Sequence, residues 1–175
     1  MKVSILIILT SFLVAGDIKI TCEEHLFNLY PKNRDIRMHI FQLDKQIKNK
    51  VENIVKQRFY KDKLYYWTIT EGDSTKAYAF LDNVIGKSMP ITFMVILNID
   101  GEIENVNVIK YREAYGSEVG SKSWLQQFIN FNNNSDYSIG KDIDGISGAT
   151  ISVKSISKGM KKITTLYPLI QSQLK

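Results

Sequence analysis

Two kinds of hydrophobic spacing divide the chain and predict which parts are helical and which are extended. Apolar residues recur every three or four positions over Arg34–Phe59, with Lys and Gln between them, which predicts a long amphipathic helix, either continuous or broken once. The same spacing returns over Thr150–Thr165, and Pro168 is expected to end that second helix. A short apolar group, Trp124–Ile129, predicts a third, shorter helix.

Between the long helices the sequence becomes aromatic and β-branched, which predicts strands. Turn-forming residues at Glu71–Ser74 and Asp100–Gly101 separate them. The expected strands are Leu64–Ile69, Ala77–Leu81, Ile91–Asn98 and Ile103–Ile109. Strands joined by tight turns pair with their neighbours, so the pattern predicts one α+β domain. An antiparallel sheet of four or more strands would pack with the N-terminal amphipathic helix and the C-terminal helix.

The first sixteen residues have the pattern of a secretory signal peptide. Lys2 precedes the almost wholly apolar segment Val3–Ala15, and small residues at Val14 and Gly16 favour a cut before Asp17. We therefore expect a signal peptide at residues 1–16 and a domain at residues 17–175 that is exported to the periplasm or cell surface. The alternative is an uncleaved leader that anchors the domain in the membrane.

Composition narrows the class of protein. The chain has 175 residues, of which 44% are hydrophobic and 23% charged, as in an ordinary globular domain. The one cysteine, Cys22, excludes an intramolecular disulfide, and the isolated His25 and His39 give no reason to expect a metal site. The net charge is +5 and its lysines are spread over several helices, so nucleic acid is not an expected partner. An anionic membrane surface remains a possible one.

The segment Asp144–Thr150 reads Asp-Gly-Ile-Ser-Gly-Ala-Thr and leads directly into the C-terminal helix. The amides at a helix N-terminus lack intrahelical partners and carry partial positive charge, so they favour anions such as phosphate. No acidic residue competes in the first turn. The hydroxyl groups could instead cap the helix. The lysines of this helix, Lys162 among them, are expected on the faces away from the apolar stripe.

This order of residues closely resembles the flavinylation motif of the FMN-binding domain family. That family includes flavin-carrying subunits of sodium-pumping NADH:quinone reductase and of Rnf-type complexes. In it, a separate flavin transferase joins the hydroxyl of the last Thr to the phosphate of FMN. The resemblance implies that Thr150 carries FMN covalently. It also places in the cofactor site four other residues of the segment, Asp144, Ser147, Gly148 and Ala149.

Three further segments resemble this family in the same order. Gly86–Thr92 resembles its GK-x-x-P-I-T turn, Tyr111–Glu118 its YRE-x-x-G-x-E segment, and Trp124–Phe128 its W-x-x-QF helix. The resemblance covers roughly Ala77–Thr165, about half of the chain. It implies that the segment after Tyr111 approaches the flavin ring.

Four residues of these segments are candidates for the cofactor site. Tyr115 and Trp124 are possible aromatic neighbours of the ring, although Trp124 could equally belong to the core. Glu113 could act as an acid or, as we favour, hold a loop through backbone N–H groups. Gly116 permits a backbone turn that other residues resist. No residue is assigned a catalytic role.

The resemblance implies an exported bacterial flavoprotein that carries electrons through FMN. Such a protein is more an electron carrier than a free-standing enzyme, and its expected partners are a flavin transferase and redox proteins or a quinone. One alternative is a self-sufficient FMN-dependent reductase of a small acceptor, with Glu113 or Glu118 as its acid. Another is an exported binding domain without redox activity.

Overall fold

Five strands form one antiparallel sheet in the order β1-β2-β3-β4-β5, so each strand pairs with its neighbour in sequence. A computed structural model describes residues 18–30 and 34–175. The strands are β1 (Asp35–Gln42), β2 (Lys63–Glu71), β3 (Ser74–Ile85), β4 (Pro90–Asn98) and β5 (Ile103–Lys110). The helices are α1 (18–29), α2 (Lys45–Val55), α3 (Lys122–Leu125) and α4 (Thr150–Ile170).

This arrangement confirms the predicted α+β class and antiparallel sheet, and each predicted strand lies within an observed one. None of the helices in the described ranges is long and apolar enough to cross a membrane. The predicted signal peptide, residues 1–16, lies outside those ranges.

Helices cover both faces of the sheet. Successive side chains of a strand point to opposite faces. On β3, Tyr78 and Phe80 face the larger hydrophobic cluster, which includes α2 and α4, whereas Ala79 and Leu81 face a smaller one that includes α1. The structure therefore has three layers, and α4 packs across the middle of the sheet.

Helix α1 was not predicted from the sequence. It closes the second face of the sheet by burying Cys22 and Leu26 completely beside Trp67 of β2. The indole Nε1 of Trp67 also donates a hydrogen bond to Oε1 of Glu23, at 3.3 Å.

The helix predicted over Arg34–Phe59 is wrong in its first half, which is the edge strand β1. Ile36 and Ile40 fit a helical spacing, but with Met38 they also alternate as a strand requires. Pairing with β2 satisfies this backbone and decides the outcome. Asp44 then begins α2, because its Oδ1 accepts hydrogen bonds from two amides of the first turn, at 2.7 and 3.2 Å.

Helix α4 corrects two expectations. Pro168 lies inside its last turn and does not end it, because buried Tyr167 and Ile170 hold that turn against the core. Lys162 is fully buried and does not face solvent. Its Nζ lies 2.8 Å from Oδ2 of Asp82 on β3, which neutralises the charge, and donates to the carbonyl of Arg58 at 2.9 Å.

Candidate functional site

Thr150 is the first residue of α4, and its side chain is exposed. Ala149 occupies the N-cap position, and no side chain caps the helix. The capping role considered for the hydroxyls of this segment therefore does not apply. The Thr150 hydroxyl is open to solvent at the positive end of a 21-residue helix.

The loop before α4 leads into a first turn whose backbone amides lie at the same helix terminus as the Thr150 hydroxyl. Gly148 has a φ of +77°, a conformation that favours glycine, and the Ala149 amide donates to the carbonyl of Ile146 at 3.0 Å. The intrahelical bonds begin only with Val153, whose amide donates to Ala149. The amides of the first turn are thus free of helical partners, and that turn contains no acidic residue.

The loop after β5 packs directly on the start of α4. Gly116 has a φ of +81°, and a Cβ placed there would lie 2.7 Å from the Cβ of Ala149. Tyr111 donates its hydroxyl to the carbonyl of Tyr115 at 2.5 Å and lies 3.3 Å from Oγ of Ser152. The structure therefore brings together two of the predicted segments. Tyr115 itself is 84% exposed, and it directly precedes the glycine that packs on Ala149.

Glu113 holds the turn between β3 and β4. Its Oε1 accepts hydrogen bonds from the amides of Ser88, at 2.7 Å, and Met89, at 2.9 Å. These bonds, with that to Met89 as the largest contribution, lower the pKa of the Glu113 carboxyl. A Cβ at Gly86 would lie 2.5 Å from the same oxygen, so a larger residue there would displace the carboxylate from these bonds. This geometry supports the loop-holding role for Glu113.

Trp124 fixes the loop that contains Asp144. Its side chain is only 6% exposed, and its Nε1 donates to the carbonyl of Asp144 at 2.8 Å. Gln127 completes this contact, because its Oε1 accepts from the amide of Asp144 at 2.7 Å. The indole packs edge-on against Phe128 in the core, with 5.2 Å between ring centroids. Trp124 therefore positions the backbone of Asp144, whose own side chain is exposed.

Sequence reasoning missed three residues that assemble this site. Tyr111 and Gln127 make the contacts described above, and Arg112 donates to the carbonyl of Pro90 at 3.1 Å and to Oγ1 of Thr92 at 3.0 Å. All three lie inside the segments that carry the family resemblance. Their presence in those segments was the only sequence feature that could have indicated them, and the contact that each one makes is known from the structure.

The site suits a phosphorylated cofactor: an exposed hydroxyl and free amides meet at a helix N-terminus, beside a loop that carries an exposed aromatic ring. The family model of the FMN-binding domain matches residues 86–165. This match covers 80 of the 175 residues and indicates FMN as the cofactor. Every candidate site residue lies within it. No curated protein matches the chain.

Proposed function

We propose that the chain is an exported electron carrier that holds FMN through a phosphoester to the hydroxyl of Thr150. The observation that carries this proposal is the position of that hydroxyl, which is exposed and uncapped at the start of α4 within an FMN-binding domain. Covalent attachment would keep the cofactor on a protein that works outside the cytoplasm, where a dissociated flavin is lost.

Attachment forms a bond between the Thr150 oxygen and the phosphorus of FMN. The bond from that phosphorus to the leaving group of the flavin donor breaks, and the leaving group departs with the hydroxyl proton. An unactivated hydroxyl is a weak nucleophile, so a separate flavin transferase performs this step. Thr150 is thus the modified residue and not a catalytic one. The exposure of its side chain gives the transferase access to it.

The chain's own groups would hold and orient the cofactor. The free amides around Gly148 and Thr150 oppose the negative charge of the phosphate. Trp124 holds the backbone of Asp144 in the loop before α4, and Glu113 holds the turn between β3 and β4. FMN supplies the redox chemistry when bound, while the protein supplies position and electrostatics.

The rival reductase function has less support from the geometry. Glu113 accepts two backbone amides, and its lowered pKa makes it a poor proton donor at neutral pH. Glu118, which is exposed, is then the remaining candidate acid. The non-redox binding domain gains no support from a free Thr hydroxyl at the start of α4.

The attachment is tested by mass spectrometry of the chain co-expressed with a flavin transferase. The peptide that carries Thr150 should gain the mass of FMN less one water. Thr150→Ala should abolish the gain, whereas Ser172→Ala, which removes an exposed hydroxyl beyond the other end of α4, should keep it. A wild-type chain from the native host with no adduct would contradict covalent attachment.

Electron transfer is tested by mixing the chemically reduced protein with a flavoprotein, a cytochrome or a quinone in a stopped-flow instrument. A carrier should be oxidised at the same rate in wild type and in Glu118→Gln. Turnover of a small acceptor that is lost in Glu118→Gln would instead establish the reductase. N-terminal sequencing of protein from the native host tests export, since the mature chain should begin at Asp17.

A further inference from the structure

A cavity of about 570 Å³ opens on the side of α4, away from the loops that surround Thr150. Its walls are the C-terminal end of α2, the segment that leads from α2 to β2, the end of β3 and the outer face of α4. Its volume lies within the range of small-molecule sites in proteins. Its α4 residues, Ser155 and Lys158, follow Thr150 by one to two turns, or about 7.5 to 12 Å along the helix axis.

Three cations converge on this cavity. Lys56, Arg58 and Lys158 line it, against the single carboxylate of Glu52. That carboxylate is already engaged, because its Oε1 accepts the amide of Phe59 at 2.7 Å. Within residues 18–30 and 34–175, none of the three cations forms a salt bridge. Three cations against one carboxylate give the lining of the cavity a net charge of +2.

The remaining walls suit a flat molecule with a hydrogen-bond donor. Tyr60 and Ile85 line the cavity with side chains that are partly exposed. Gln57 spans the cavity wall, donating its Nε2 to the carbonyl of Ser155 at 2.9 Å. Its Oε1 is buried and has no partner among the described residues, and a rotation of the Gln57 side chain towards the cavity would let a ligand's N–H or O–H group satisfy it.

We infer that this cavity binds a small planar organic anion that also carries an N–H or O–H donor. The anionic group would contact the three cations, and the planar part would lie between Tyr60 and Ile85. The donor would bond Oε1 of Gln57 after that side chain turns towards the cavity. This site is separate from the proposed attachment of FMN at Thr150 and does not depend on it.

The test is a titration of the ¹⁵N-labelled full chain, followed by NMR. Two probes combine a planar body, an anion and a donor: adenosine 5′-monophosphate and 4-hydroxybenzoate. At least one of them should shift the amides of residues 56–60 and 155–158. Adenosine and inorganic phosphate, which each contain only part of that chemistry, should bind at least tenfold more weakly than the monophosphate. Raising the salt concentration should weaken the binding.

Matched variants locate the binding. Lys158→Gln and Arg58→Gln should each raise the dissociation constant on the order of tenfold, because each removes a charge-assisted hydrogen bond. Lys154→Gln, an exposed lysine one turn earlier on the same helix, should leave it unchanged.

Three outcomes would overturn the inference. The first is that neither probe shifts the cavity amides. The second is that inorganic phosphate binds as tightly as the monophosphate, since the planar part would then not be recognised. The third is that the largest shifts fall on Gly148 and Thr150, which would place the anion at the start of α4.

Discussion

Replacing Gly116 with Ala should disrupt the contact that joins the two flavin-site loops. Gly116 has a φ of +81°, and an alanine in that left-handed region costs about 1 to 2 kcal/mol. The new Cβ would also lie 2.7 Å from the Cβ of Ala149, where carbon atoms normally approach to about 3.5 to 4.0 Å. Such overpacking costs about 1 to 3 kcal/mol. The expected loss in the free energy of unfolding is therefore about 2 to 5 kcal/mol.

Gly140→Ala is the matched control for this change. Gly140 has a similar φ of +85°, but a Cβ there would meet nothing within 4 Å. It should therefore cost only the backbone part, about 1 to 2 kcal/mol. Denaturation in urea measures both losses, and their difference isolates the contact with Ala149.

A second measurement ties the contact to the site. Gly116→Ala should lower the extent to which a flavin transferase loads FMN onto the chain, while Gly140→Ala should not. Adding Ala149→Gly to Gly116→Ala should recover part of the lost stability, because it removes the opposing methyl group. Equal losses for Gly116→Ala and Gly140→Ala, within about 0.5 kcal/mol, would refute the packing described here.

Three further predictions concern single side chains. Lys162→Met should lower stability by about 3 to 5 kcal/mol in urea denaturation, because it leaves the buried Asp82 without its partner. The double variant with Asp82→Leu should lie closer to wild type, and a double variant as unstable as Lys162→Met would count against the ion pair. The pKa of Glu113, followed by NMR, should lie below its ordinary value of 4.5. Its contribution to stability should be complete at neutral pH and be lost as the pH falls through that lowered pKa, and an ordinary or raised value would contradict its bonds to the turn. Burial raises the pKa of the Cys22 thiol to about 12, so iodoacetamide at pH 8 should label it only after denaturation, and rapid labelling of the native chain would show that α1 does not cover the sheet.

The sheet could be predicted from the sequence because its strands pair with their neighbours along the chain. Tight turns such as Asp100–Gly101 join neighbouring strands. The observed strand order contains no crossover, so no pairing joins strands that are not consecutive in the sequence. The first half of the Arg34–Phe59 prediction failed because Ile36 and Ile40 suit both periodicities. Which one forms depends on β2, which lies more than twenty residues further along the chain. The cap at Asp44 was the local signal that a new element begins there.

The candidate site, too, could be predicted only in part from the sequence. The segment that ends at Thr150 could be read as the start of a helix, and its resemblance to a family supplied the cofactor. No periodicity shows that Gly116 contacts Ala149 or that Trp124 holds the backbone of Asp144. Lys162 was misplaced for a related reason, because a buried lysine is found only by locating the carboxylate that neutralises it.

The position of α4 after all five strands sets an order of events during biosynthesis. Strands β2 to β5 can pair as they emerge, because each one meets its predecessor through a short connection. The face of the sheet that carries Phe80 stays uncovered until α4 is made. Thr150 cannot lie at a folded helix terminus before that moment, so a flavin transferase that recognises the folded loop acts only after α4 has been made. A chain truncated within α4 would keep the whole attachment motif in its sequence and still lack the surface that presents it.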